Sequence, residues 1–155
     1  MLRETFLVLA TLLVLAAATQ VNHCGNGKLY EDPNQVQITG CNSPPCKLKK
    51  RTKIGIEQKF VPNRDVQTLT TSVHATILGI PLPFVGVDGA NACQNIFNAD
   101  GSKSSCPLKK GTPYIYKNEF PILELYPKVS LVVYYALTEK NDIVTCFEVP
   151  SKITS

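Results

Sequence analysis

VSLVVYYAL, residues Val129–Leu137, is the stretch on which the fold turns. Its β-branched and aromatic residues suit a pleated surface. Their alternation places Val129, Leu131, Val133 and Tyr135 on one face, opposite Ser130, Val132 and Tyr134. Downstream, Ile143–Val149 follows across Thr138–Asp142, which reads as a hairpin turn. Upstream, the same period recurs in weaker form. Gln35–Thr39 sets Val36 with Ile38, Thr52–Val61 sets Ile54 with Ile56 and Phe60, and Tyr114–Phe120 is short and rich in aromatics. Val66–Ile80 places Leu69, Val73, Ala75 and Ile77 together, which leaves His74 on the opposite, solvent-facing side. Turn signals separate the runs: Asp32-Pro33-Asn34, Pro62-Asn63-Arg64, Asp100-Gly101-Ser102 and Lys140-Asn141-Asp142. No window shows a helical stripe.

Six or seven short strands punctuated by turns predict an all-β chain, an immunoglobulin-like two-sheet β-sandwich. The likeness is one of architecture, since the chain has no tryptophan. Residues 1–18 read as a secretory signal peptide: Arg3, an apolar run from Phe6 to Leu15, then small residues, with cleavage expected after Ala18. That run is short for a transmembrane helix. Residues 19–155 are expected to form a single domain.

The six cysteines, Cys24, Cys41, Cys46, Cys93, Cys106 and Cys146, all follow the signal. An even number in an exported chain reads as three disulfides, with fifteen pairings open. Cys41 and Cys46, flanking Pro44-Pro45, are most simply a local ring. A zinc site is the competing reading; no CxxC knuckle and only two histidines support it. The net charge of +4 is mild. Its one basic cluster, Lys47–Lys53 (KLKKRTK), lacks the interleaved aromatics of a nucleic-acid binder, so no nucleic-acid partner is expected. A solvated face is the plain reading of the cluster, and attraction to anionic lipid headgroups the sharper one. No Asn-x-Ser/Thr occurs, so no Asn-linked glycan is expected.

Catalysis finds no support. His23 and His74 stand alone, the carboxylates are scattered, and neither GxSxG nor HExxH is present. No catalytic residue, metal or cofactor is assigned. The distinctive chemistry is apolar. In GIPLPFVGVDGANAC, residues 79–93, no side chain from Ile80 to Val87 is charged or hydrogen-bonding. Pro81 and Pro83 exclude a helix or a central strand, so the segment is expected to be an extended loop without a strand partner. Pro121–Tyr126 (PILELY) is a second apolar loop. Two such loops meeting at one end of a sandwich would frame the mouth of a dry cavity between the sheets. The alternative is that both cap an ordinary core.

The ordered blocks Cys24-Gly25, Cys41-x4-Cys46-x-Leu48, Gly79-Ile80-Pro81-Leu82-Pro83-Phe84, Cys106-Pro107-Leu108-Lys109, Tyr126-Pro127 and Cys146-Phe147-Glu148-Val149-Pro150 resemble the ML lipid-recognition family. Within it, the chain is similar to the Niemann-Pick type C2 sterol carriers and their secreted arthropod relatives. The resemblance implies sheets splayed around a lipid and the disulfides Cys24–Cys146, Cys41–Cys46 and Cys93–Cys106. It places sterol-contact positions on Phe84, Ile122 and Tyr126. Further pocket lining falls on Val129, Leu131, Val133, Tyr135, Phe147 and Val149, with Pro81 and Pro83 stiffening the lip and Phe84 at the entrance. The sterol carrier has tryptophan where this chain has Tyr135 and Phe147. Lys128 is the candidate partner of a ligand carboxylate. The implied function is a secreted, monomeric, non-enzymatic carrier of a sterol, fatty acid or similar lipid, with a transient membrane or receptor contact for delivery. A lysosomal location is disfavoured by the missing glycan. An innate-immune module that binds lipopolysaccharide through Lys47–Lys53 is the alternative.

Overall fold

A computed structural model describes residues 18–155. The signal-peptide reading of residues 1–18 therefore falls, all but Ala18, outside the described residues. In chain order the strands are β1 Asn22–His23, β2 Val36–Ile38, β3 Cys46–Lys49, β4 Lys53–Phe60, β5 Thr70–Ile77, β6 Ile80–Pro83, β7 Ile96–Asn98, β8 Tyr114–Pro121, β9 Ser130–Glu139 and β10 Asp142–Thr154. The only helical turn among the described residues is a 3₁₀ turn at Cys93–Asn95. One sheet runs β1-β10-β9-β5-β6, with β3 added to β10; the other runs β2-β4-β8-β7. All pairings are antiparallel except β3 with β10.

The β9 stretch is the axis of the larger sheet, bonded to β5 on one side and β10 on the other. Leu131, Val133, Tyr135 and Leu137 face inward and are buried. Val73 and Ala75 of β5, and Phe147, Val149 and Ile153 of β10, extend the same inner face. Opposite them lie Val36 and Ile38 of β2, Ile54, Ile56 and Phe60 of β4, and Tyr114, Tyr116 and Phe120 of β8. These two apolar faces close on each other as one core.

The disulfides are Cys24–Cys146, Cys41–Cys46 and Cys93–Cys106. They take up all six cysteine sulfurs, which leaves no thiolate for the zinc alternative. Cys24–Cys146 joins residues 122 apart in sequence and ties the first strand to the last.

Three expectations need correction. Residues 80–83 are not an unpartnered loop but an edge strand on β5. Leu78 and Gly79 form its two-residue turn, both with positive φ (51° and 79°), as the twist of a tight hairpin requires. Hydrogen-bonded pairs then alternate from Ile77–Ile80 through Ala75–Leu82 to Val73–Phe84, where Phe84 N–H donates to Val73 O at 3.1 Å. That parity leaves Pro81 and Pro83 at positions where no ladder N–H is needed, so both are tolerated on an edge. Second, Cys46–Lys49 forms strand β3, which the sequence reading did not identify; Lys47 and Lys49 of the basic cluster are exposed on it, as the solvated-face reading expects. Third, the last strand continues past Val149 to Thr154 because Ser151 and Ile153 still face the core. His74 is also less solvent-facing than expected, being half-buried and stacked on Tyr134 at 4.3 Å.

Glu139, at the end of β9, clamps the 64–68 turn. It accepts from Gln67 N–H at 2.6 Å and Thr68 N–H at 3.3 Å, and pairs with Arg64. The Gln67 N–H foremost, then Arg64, with a smaller contribution from the Thr68 N–H, hold its carboxyl below the usual range. A lowered folded-state value stabilises the fold above the unfolded-state pKa and loses that contribution as pH falls through the folded one. Glu139→Gln is expected to flatten the acid limb of the stability–pH curve, measured by denaturant unfolding from pH 6 downward; an unchanged limb would contradict the clamp.

Candidate ligand pocket

The hairpin edge and the apolar loop meet at one end of the sandwich. Beyond β8 the chain is pinned by Ile122, whose N–H donates to Thr52 O at 2.9 Å and whose carbonyl accepts Arg51 N–H at 2.8 Å. Ile122 itself is buried. The loop then turns outward through Leu125 and Tyr126. The Tyr126 hydroxyl accepts the Val85 N–H at 3.0 Å, joining the two segments. Phe84 is buried between Tyr126 and Phe120, edge-to-face with both at 5.6 Å between ring centroids.

A pocket of about 280 Å³ opens between the two segments. It is lined by Ala75, Ile77, Leu131 and Ile153 from the inner face of the larger sheet, by Leu82, Pro83, Phe84 and Val85 along and just after β6, and by Leu125, Tyr126 and Pro127 of the apolar loop. No lining side chain is charged, and the one polar group, the Tyr126 hydroxyl, is already bonded. Such a wall stays dry and accepts apolar guests. Apolar side chains stand exposed here: Leu125 (75%) and Val85 (59%) in the pocket lining, and Leu78 (98%) and Ile80 (61%) on the adjoining hairpin.

Deeper in the sandwich lies a small void of about 10 Å³, lined among others by Ile54, Phe120, Val133, Phe147 and Val149. Phe84 lines the outer pocket and Phe120 the inner void, so these two rings stand between them. Tyr135 is fully buried, stacked on Phe147 at 5.6 Å and hydrogen-bonded to Tyr116 at 2.7 Å.

The candidate residues therefore separate by depth. Pro83, Phe84, Tyr126 and Leu131 line the open pocket. Val133, Phe147 and Val149 surround the inner void. Tyr135 is in the packed centre, Ile122 behind the loop, and Val129 half-buried against the core. Pro81 is exposed on β6, and Lys128 is exposed immediately after Pro127 of the pocket wall. The sequence reading missed Ala75, Ile77, Leu82, Val85, Leu125 and Ile153 as pocket walls. Leu82 and Ile153 were legible in principle, since they continue the inward faces of the hairpin and of β10. In the basic segment, Lys47 and Lys49 point outward, while Arg51 pairs with Glu124 of the apolar loop at 3.0 Å.

Residues 18–153 match the family model of the ML domain. The chain is 34% identical to NPC intracellular cholesterol transporter 2 homolog a of Drosophila melanogaster, over 99% of each chain. It is 31% identical to NPC intracellular cholesterol transporter 2 of Bos taurus, over 98% of this chain and 97% of that one. The crystal structure of a Niemann-Pick type C2 protein from Japanese carpenter ant shares the fold. Its TM-score is 0.66 at 22% identity, covering 90% of this chain and 96% of that one.

Because Phe84 is packed on both faces, Phe84→Ala is expected to cost about 3–5 kcal/mol of stability, as for other buried phenylalanines. Denaturant unfolding measures it; a loss under about 1 kcal/mol would mean that the ring is not held as described.

Proposed function

The chain belongs to the ML domain family, and from that premise we propose that it is a secreted carrier of one hydrophobic molecule, a sterol, a fatty acid or a similar lipid. The observation that carries the reading is the wholly apolar pocket whose sides are joined by the Val85–Tyr126 bond and whose lining includes the exposed Val85 and Leu125. The names of the relatives describe a cholesterol transporter, not a catalyst, and the chain is read as a carrier, not an enzyme. Secretion is supported by the N-terminal signal pattern and the three disulfides.

Burial of the guest drives binding. Each methylene taken out of water contributes about 0.8 kcal/mol, so a long chain or ring system needs few polar contacts. At about 280 Å³ the open pocket lies just below the lower end of the roughly 300–1,000 Å³ span of small-molecule sites. A sterol-sized guest therefore requires Phe84 and Phe120 to yield, joining the outer pocket to the void against Val133, Phe147 and Val149. Ile122 and Val129 support the walls, Tyr135 lies at the deep end, and Pro81 and Pro83 stiffen the β6 lip. Lys128 is placed to attract a carboxylate left at the mouth.

Titration with a fluorescent sterol and a fluorescent fatty acid tests the reading. Leu82→Glu puts a charge in the pocket wall at a half-exposed position. It is expected to weaken both ligands at least tenfold while shifting the unfolding temperature by only a few degrees. Undiminished uptake would place the ligand elsewhere. Lys128→Ala is expected to weaken the fatty acid alone, with the difference shrinking at high salt; an equal loss for both ligands would remove Lys128 from the headgroup role.

A further inference from the structure

The deep end of the sandwich is not apolar. Tyr116 of β8 and Tyr135 of β9 project from opposite sheets, both at 0% exposure, and their hydroxyls share a hydrogen bond of 2.7 Å. Asn118 Nδ2 donates to the Tyr116 hydroxyl at 3.0 Å. Gln58, directly opposite Tyr116 on β4, is also fully buried. Its Nε2 donates to Thr145 Oγ1 at 2.8 Å, and its Oε1 has no partner among the described residues. Burial pushes both phenols above their ordinary pKa, so both remain O–H groups at physiological pH.

Register fixes where this polar floor sits. Along β8 it lies four residues beyond Phe120, the ring that faces Phe84 and the pocket. Along β9, Tyr135 follows Leu131 and Val133 in turn on the same inner face. A guest entering from the pocket passes Phe84, Phe120 and Val133 before it meets Tyr116, Tyr135 and Gln58. A bare hydrocarbon end arriving there separates the phenols and leaves buried polar groups unpaired, which is unfavourable. A hydroxyl arriving there finds phenol oxygens able to donate or accept and a free acceptor in Gln58.

We infer that the protein selects lipids that carry a hydroxyl at the buried end, read by the Tyr116–Tyr135 pair with Gln58. The inference rests on the carrier reading above and names the ligand class of that same pocket. An oxygen in an otherwise apolar cavity lowers affinity unless it is partnered, so a preference for the oxygenated ligand is a signature that a plain hydrophobic pocket does not give.

The test compares palmitic acid with 16-hydroxypalmitic acid in displacing N-phenyl-1-naphthylamine from the wild-type protein and from the Tyr116→Phe/Tyr135→Phe double variant. The ionised carboxylate is costly to bury and stays at the mouth, so the ω-hydroxyl is the end that enters. Removing both hydroxyls keeps the ring shapes and leaves neither ring with an unpaired hydroxyl; only the half-buried Asn118 Nδ2 loses its acceptor. The wild type is expected to bind the hydroxy acid about tenfold more tightly, the worth of one satisfied hydrogen bond. The double variant is expected to lose or invert that preference, read as the ratio of the two acids' displacement constants in the same protein. Equal or tighter binding of palmitic acid by the wild type overturns the inference alone, and this comparison needs no variant to fold. A preference that survives in the double variant also overturns it. If the wild type takes up neither the probe nor either acid, the carrier reading fails and the inference with it.

Discussion

The structure depends on β9 being hydrogen-bonded on both sides. With β5 and β10 fixed against it, a slip of one residue in either register would turn Leu131, Val133, Tyr135 and Leu137 to solvent and bring Ser130, Val132 and Tyr134 inward. The hydrophobic cost of that exchange locks the larger sheet. The smaller sheet then has one solution, to cover the inner face with Ile38, Ile54, Ile56, Phe60 and Phe120. What remains uncovered is the end where β5 turns through Leu78–Gly79 into a two-proline edge strand. No ladder can continue there, and the 122–127 loop closes the gap only in part. The pocket follows from the sheet running out of partners.

That origin explains the character of the site. Its walls are continuations of core faces, Ala75 and Ile77 from β5, Leu131 from β9 and Ile153 from β10, so the pocket inherits the chemistry of a protein interior. The Val85 N–H to Tyr126 hydroxyl bond and the Phe84–Tyr126 contact hold its two sides at a set distance without adding a polar group that faces the guest. Polarity reappears only at depth, where Tyr116 and Tyr135 bond across the sandwich. A buried pair of this kind is costly to disturb without replacement, which makes it a natural limit on what can be inserted.

Much of this was legible in the chain. The inward residues of β4, β5, β8 and β9 follow from period two, because each strand packs one face on a shared core. The family resemblance puts expected ligand contacts on Phe84 and Tyr126, and both line the open pocket. The losses have physical causes. β3 has two inward residues, Cys46 and Leu48, of which the first reads as a disulfide partner, so a single Leu between lysines is all the apolar periodicity it shows. Strand β6 was hidden by prolines whose harmlessness depends on hydrogen-bond parity, a property of the pairing and not of the segment. Tyr135 reads as an inward, pocket-lining aromatic and Tyr116 only as one aromatic of the 114–120 run; that their hydroxyls meet across two sheets is a tertiary fact with no local trace. The depth ordering of Val133, Tyr135, Phe147 and Val149 behind Phe84 and Phe120 is likewise set by packing.

The measurement that bears most directly on a lipid-carrying pocket is native mass spectrometry of the protein purified from a secreting host, followed by solvent extraction and identification of what is released. A mass excess matching one small hydrophobic molecule per chain, recovered in the organic phase and absent from the Leu82→Glu variant, is the expected result. Protein at its bare disulfide-bonded mass, which also fails to acquire such a molecule when incubated with sterol and fatty acid, would contradict the account.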